Sequence, residues 1–123
     1  MSPADVNTQS MAGVIASFSM SLDGFVADPS DQVGPLFDWY ENGQTETTWP
    51  GMGMVSRTTR ESAGYLREVI ETTGALVVGR RLFDYTHGWG GSHPLGVPAL
   101  VVSHDIPPGV APTRRCIPVR SER

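Results

Sequence analysis

With 123 residues, 39% of them hydrophobic and 18% charged, the chain has the composition of one globular domain able to bury a single core. A formal charge of −4, with every one of the nine basic residues an Arg, excludes the concentrated basic face that nucleic-acid binding needs. No apolar run approaches the ~20 residues required to span a bilayer, and the single Cys116 cannot close an internal disulfide, which fits a reducing, cytoplasmic setting.

Residues 1–11 are polar and unpatterned, and they read as a disordered tail ending at a second Met, Met11, which could itself be the start of translation. From Val14 to Leu22 apolar and small polar residues alternate: Val14, Ala16, Phe18, Met20 and Leu22 on one side, Ser17, Ser19 and Ser21 on the other. Period two predicts a strand. Asp23-Gly24 should end it in a turn, with a brief resumption at Phe25-Val26-Ala27. A loop over 28–35 precedes Leu36-Phe37-Asp38-Trp39-Tyr40, which suits a short helix or a packed loop. Residues 41–55, rich in Gly and Thr, read as irregular, with Trp49-Pro50-Gly51 as a breaker.

A helix is expected next, capped by Ser56 or by Thr58, which has Glu61 at the capping-box spacing. It should run to about Thr72, bury Leu66, Val69 and Ile70, and close at Gly74. Ala75-Leu76-Val77-Val78 and Pro98 to Ser103 are short, wholly apolar runs of the kind that form strands covered on both faces. A strand, a helix and two such strands make an α/β sandwich with a mostly parallel central sheet. On this reading residues 12–109 form the domain, and 110–123, with four Pro-interrupted Arg and one Glu, an irregular basic tail.

Three strand ends carry the functional signal: S-L-D-G-F-V-A over 21–27, V-V-G-R-R-L-F-D over 77–84 and V-V-S-H over 101–104. Ligands of open α/β sheets collect beyond the carboxyl ends of strands, where a Gly admits a nucleotide and Arg grips a phosphate. In order and spacing the three segments resemble the dihydrofolate reductase superfamily, and within it the C-terminal reductase domain of bacterial bifunctional riboflavin-biosynthesis deaminase-reductases.

The resemblance covers roughly residues 13–109 and implies a dihydrofolate-reductase-like sandwich. It implies an NADPH-dependent oxidoreductase of the phosphoribosylaminouracil-reductase type, acting on a small pteridine- or pyrimidine-like substrate and working as a homodimer. Ser19 and Val26 would flank the nicotinamide, and Gly79 would admit the pyrophosphate. Arg80 and Arg81 would meet the 2′-phosphate, and Ser103 and His104 would lie along the adenosine. Asp23, as the catalytic position, would border the substrate with Phe25, Phe37 and Trp39. Where the family usually has D-G-K this chain has D-G-F, so Phe25 replaces a cation suited to a phosphorylated substrate. The family pattern also continues with further strands, a helix and a Gly-rich turn. None follows Asp105, so the chain is expected to hold only the N-terminal half of the domain. The alternative is a non-catalytic form with weak or no cofactor binding.

Other constellations carry less. His87, His93 and His104 lack acidic or Cys neighbours at zinc spacing, so no metal is expected. Ser103-His104-Asp105 cannot form a hydrolytic triad, because adjacent strand-end side chains point apart and no nucleophile elbow is present.

Overall fold

A computed structural model describes residues 13–110 and the backbone of 116–118. The polar tail over 1–11 lies outside these residues. The chain divides into two units, Met1–Phe37 and Asp38–Arg123, where the sequence suggested one domain over 12–109.

In the first unit the expected strand over 14–22 does not form. Residues 13–21 have no regular structure, and the apolar side of the alternation faces outward, with Val14 97% exposed and Phe18, Met20 and Leu22 also exposed. Alternation sets which face a strand would bury, but a strand exists only as one member of a ladder. The resumption at Phe25–Ala27 is likewise absent. The Asp23-Gly24 turn is present. Gly24 N donates to Ser21 O at 2.9 Å, Ser21 N to Phe25 O at 2.8 Å, and Gly24 adopts φ +89°, a conformation open to glycine. Asp28 then folds the following loop by accepting from Ser30 N (2.7 Å) and Gln32 N (2.9 Å). The helical alternative holds for the aromatic segment, as a 3-10 helix over Gly34–Glu41.

The second unit opens on a hairpin that the sequence did not announce: β1 (Thr45–Thr48) pairs antiparallel with β2 (Val55–Thr58). Its buried face is built of Thr47, Ser56 and Thr58 rather than aliphatic residues, so there was no hydrophobic alternation to read. The breaker Trp49-Pro50-Gly51 is its turn, with Trp49 N bonded to Met54 O at 2.7 Å.

Helix α1 (Arg60–Thr72) ends where expected but is capped by neither Ser56 nor Thr58, its cap being Thr59. Both of those are buried in β2. Thr59 is the first hydroxyl beyond the strand, and its side chain accepts from Ser62 N at 3.2 Å. At the other end Thr73, in an extended conformation, donates to Val69 O, and Gly74 takes no left-handed cap role. Ala63 and Leu66 are buried and α1 packs on the hairpin.

Strands β3 (Leu76–Gly79) and β4 (Ala99–Ser103) run parallel, with Leu76 opposite Ala99 and Gly79 opposite Val102. Strand β5 (Cys116–Pro118), inside the segment expected to be irregular, joins β4 in parallel to give the order β3-β4-β5. Helix α2 (Arg80–Tyr85) starts directly from β3 and packs on both β3 and β4. The expectation that β3 is covered on both faces is not met among the described residues: Leu76 and Val78 are half-buried, but Val77 is 61% exposed. A wholly apolar run shows that burial is possible on both sides without showing what supplies it.

Trp49, Leu66 and Leu95 form the buried core, with Tyr40, Val69, Ile70 and Leu76 packed around them. The Trp49 indole N–H donates to Ser56 Oγ at 3.1 Å, so its polar atom is satisfied inside the core. The result is a small α/β arrangement with one antiparallel hairpin and one parallel sheet. No helix among the described residues is long and apolar enough to cross a membrane.

Candidate functional site

The carboxyl ends of β3 and β4 lie side by side because the strands are parallel and adjacent in the ladder. That places Gly79, Arg80 and Arg81 next to Ser103 and His104. Gly79 has φ −75°, so its backbone does not require glycine. Open space lies where a Cβ would stand, and that space is what its missing side chain contributes.

Arg80 links the two strand ends. Its Nε donates to both carboxylate oxygens of Asp84, each at 2.8 Å, across one turn of α2. Its Nη1 reaches Ser103 Oγ and Asp105 O, each at 3.4 Å. Ser103 is buried, and its hydroxyl donates to Asp105 O at 2.7 Å. Much of the guanidinium is therefore committed to joining α2 to the end of β4. Arg81 and His104 are exposed at the same end.

The remaining predicted residues fall elsewhere. Ser19, Asp23, Phe25, Val26 and Phe37 belong to the first unit. There Ser19 is half-buried and the other four are exposed. The Asp23 carboxylate accepts from Ser21 Oγ at 2.5 Å, which fixes it within its own turn. Trp39 belongs to the second unit, where it stacks on Tyr40 (centroids 4.2 Å apart) at the edge of the core. Tyr40 in turn meets Trp49 edge-on, and burial, assisted by nearby Tyr65, raises its phenol above the ordinary value.

A cleft of about 790 Å³ lies in the second unit. One wall is the segment His87–Gly91, whose residues all have positive φ, from +51° at His87 to +101° at Gly91. Three glycines tolerate this conformation. His87 and Trp89 are held in it at a cost of roughly 1–2 kcal/mol each. Gly88 also lets the Phe83 ring lie against the turn, where a Cβ would come within 2.9 Å of it. On the far side of the turn His93 Nδ1 accepts from Leu95 N at 3.1 Å, and burial lowers its pKa. Both effects favour the neutral imidazole, with its proton on Nε2. The alternating glycines of His87-Gly88-Trp89-Gly90-Gly91 were the available signal for such a turn.

Among the described residues no three His, Cys, Asp or Glu side chains are grouped closely enough to share a metal ion. Comparison with protein-family models, with curated proteins and with solved structures finds no match to this chain.

Proposed function

We propose that the chain is an NADPH-dependent reductase of the dihydrofolate-reductase-like, riboflavin-pathway type, acting on a pteridine- or pyrimidine-like substrate as a cytoplasmic homodimer. One observation carries the reading. Two adjacent parallel strands end together in Gly79-Arg80-Arg81 and Ser103-His104, the combination of an open backbone position with cationic and polar groups that a phosphorylated nucleotide needs.

These residues fit a phosphate. The open Cβ position of Gly79 leaves room for close approach, and exposed Arg81 and His104 stand beside it. Arg80 keeps its Nη2 after Asp84 and Ser103 have taken Nε and Nη1. When bound, NADPH supplies the hydride. The chain's own part is to bind and orient. In this proposal Arg80 and Arg81 hold the 2′-phosphate, Ser103 and His104 border the adenosine, and backbone groups of Ser19 and Val26 flank the nicotinamide. Asp23, Phe25 and Phe37 face the substrate. Apolar Phe25 favours an unphosphorylated ring.

A second reading, a non-catalytic form of the same fold, is favoured by the engagement of Arg80 with Asp84, which neutralises part of the charge a phosphate would seek. Titrating NADPH and NADH against wild type and the Arg80→Ala/Arg81→Ala double variant separates the two. The reductase reading expects tighter NADPH binding, reduced by on the order of 1.5–3 kcal/mol for each contact removed. Equal affinity for both cofactors in wild type refutes the phosphate role. NADPH binding without oxidation in the presence of pterin or pyrimidine acceptors favours the non-catalytic form.

A further inference from the structure

The cleft beside the left-handed turn shares no lining residue with the strand-end group of Gly79, Arg80, Arg81, Ser103 and His104. Its volume falls in the range of small-molecule sites. Its walls include Phe83, Trp89, His93, Val97, Val101 and Pro107, an aromatic and aliphatic surface suited to a flat ring.

Two of the lining side chains, Trp89 and His93, are in contact with each other. Trp89 stands edge-on to His93, with ring centroids 4.7 Å apart at 71°. Because His93 Nδ1 accepts from Leu95 N, the imidazole presents Nε2–H as a donor. Neither that N–H nor the Trp89 indole N–H has a hydrogen-bond partner among the described residues. His87 adds a further imidazole to the lining. The one carboxylate there, Asp84, already has both oxygens engaged by Arg80. The lining therefore includes two side chains whose N–H groups have no partner among the described residues, and no uncommitted carboxylate that would draw a cation.

The turn explains how the two rings come to be adjacent. A right-handed continuation of α2 would carry position 89 along the helix. Reversal of handedness at His87 folds the chain back, so that Trp89 meets a residue four positions later. Strained backbone of this kind persists only where its surroundings hold it, and it concentrates at ligand sites.

We propose that this cleft binds a small planar aromatic compound carrying an acceptor group, a carboxylate or ring carbonyl. Its ring packs against Phe83 and Trp89, and the acceptor faces the N–H groups of Trp89 and His93. The proposal is independent of the reductase reading.

Two probes with the same ring and opposite head groups, naphthoate and naphthylmethylammonium, test it on the full chain. The readout is the set of tryptophan indole N–H signals in proton–nitrogen correlation spectra, with Trp89 assigned from the Trp89→Phe variant. Saturable binding of naphthoate should shift the Trp89 signal most and leave those of Trp39 and Trp49 nearly in place, while the ammonium probe should bind about tenfold or more weakly. Trp89→Phe keeps a ring but loses the donor, and it should weaken naphthoate by a similar factor. The wild-type comparison stands even if that variant fails to fold. Equal binding of the two probes, shifts confined to Trp39 or Trp49, or no saturable response to naphthoate would each overturn the proposal.

Discussion

Replacing Thr47 with Val should stabilise the protein, although it removes a polar group from a mostly polar strand face. Thr47 lies on β1 opposite Ser56 and is 5% exposed. Its hydroxyl is fully enclosed and has no hydrogen-bond partner among the described residues. In the unfolded chain the same hydroxyl is hydrated, so folding strips it of water without replacing the bond. A buried unsatisfied group of this kind costs about 1–3 kcal/mol, and Val has the same branched shape. The expected gain is thus about 1–3 kcal/mol, a rise in thermal midpoint of roughly 4–8 °C per kcal/mol for a domain of this size. Thr58→Val is the matched control. Thr58 is 0% exposed on the same face, but its hydroxyl donates to Thr59 O at 3.0 Å. Losing that bond should destabilise by about 0.5–1.5 kcal/mol. Urea denaturation of both variants reads the signs directly. If Thr47→Val is neutral or destabilising, the Thr47 hydroxyl has a partner in solution and the reasoning fails.

The other predictions concern the loops that frame the cleft and the hairpin. Gly90→Ala should destabilise by about 1–2 kcal/mol through backbone strain alone, since φ is +64° and nothing lies within 4 Å of the new Cβ. A thermal midpoint unchanged by Gly90→Ala would mean that the left-handed turn is not the solution conformation. Gly51→Ala should lose about 1–3 kcal/mol by overpacking, because its Cβ would collide with the backbone of His93 and Gly96 and disturb the Gly51 N to Pro94 O bond. Denaturant midpoints of this variant and wild type would measure the loss. His93 is held neutral by burial, so its folded pKa lies below the ordinary value of 6.5, and the unfolded chain takes up the proton first. Its contribution is present above about 6.5 and lost as pH falls from there toward the lower folded value. Stability followed against pH should show this loss in wild type and not in His93→Gln.

What was legible in the sequence depended on whether carbon side chains wrote the pattern. The parallel pair β3 and β4 stood out because Leu76 to Val78 and Ala99 to Val102 are continuous apolar runs between turn residues. Helix α1 stood out because Leu66, Val69 and Ile70 recur at helical spacing. The hairpin did not, since its inner face holds hydroxyls at 47, 56 and 58, and Thr favours strands through its branched Cβ without adding apolar contrast. The same hydroxyls blurred the helix start, because every candidate from Ser56 to Thr59 except Arg57 can cap. Only the β2 register, which buries 56 and 58, leaves Thr59 facing the first turn. The segment over 14–22 misled in the opposite way, by showing ideal alternation where no ladder forms among the described residues of its unit. At the candidate site the chain order marked the ends of β3 and β4 but not the first of the three expected strand ends, since no strand precedes 21–27 among the described residues. It gave no sign that Arg80 would bind Asp84, because an i,i+4 pair requires first knowing that α2 begins at Arg80.

That pairing divides the work of two adjacent arginines. Arg80 is partly covered, with 33% of its side chain exposed, and it points inward to Asp84, Ser103 and Asp105 O. Arg81 is exposed one position on. Arg80→Ala should therefore act first on stability, since it removes the ion pair and the link from α2 to the end of β4. Solvent screening limits the ion pair to about 0.2–1 kcal/mol, and the longer 3.4 Å contacts add less than a well-formed bond would. Arg80→Lys should not restore the loss, because a single ammonium cannot reach the Asp84 carboxylate and the Ser103 hydroxyl together as a planar guanidinium does. Arg81→Ala should leave that link intact and remove only its own share of the preference for NADPH over NADH, the rest staying with the Nη2 of Arg80. Thermal midpoints and cofactor titrations on the three variants decide the matter. If Arg80→Ala keeps wild-type stability yet abolishes the cofactor preference, Arg80 turns outward to the phosphate, and the inward arrangement is not the one that operates in solution.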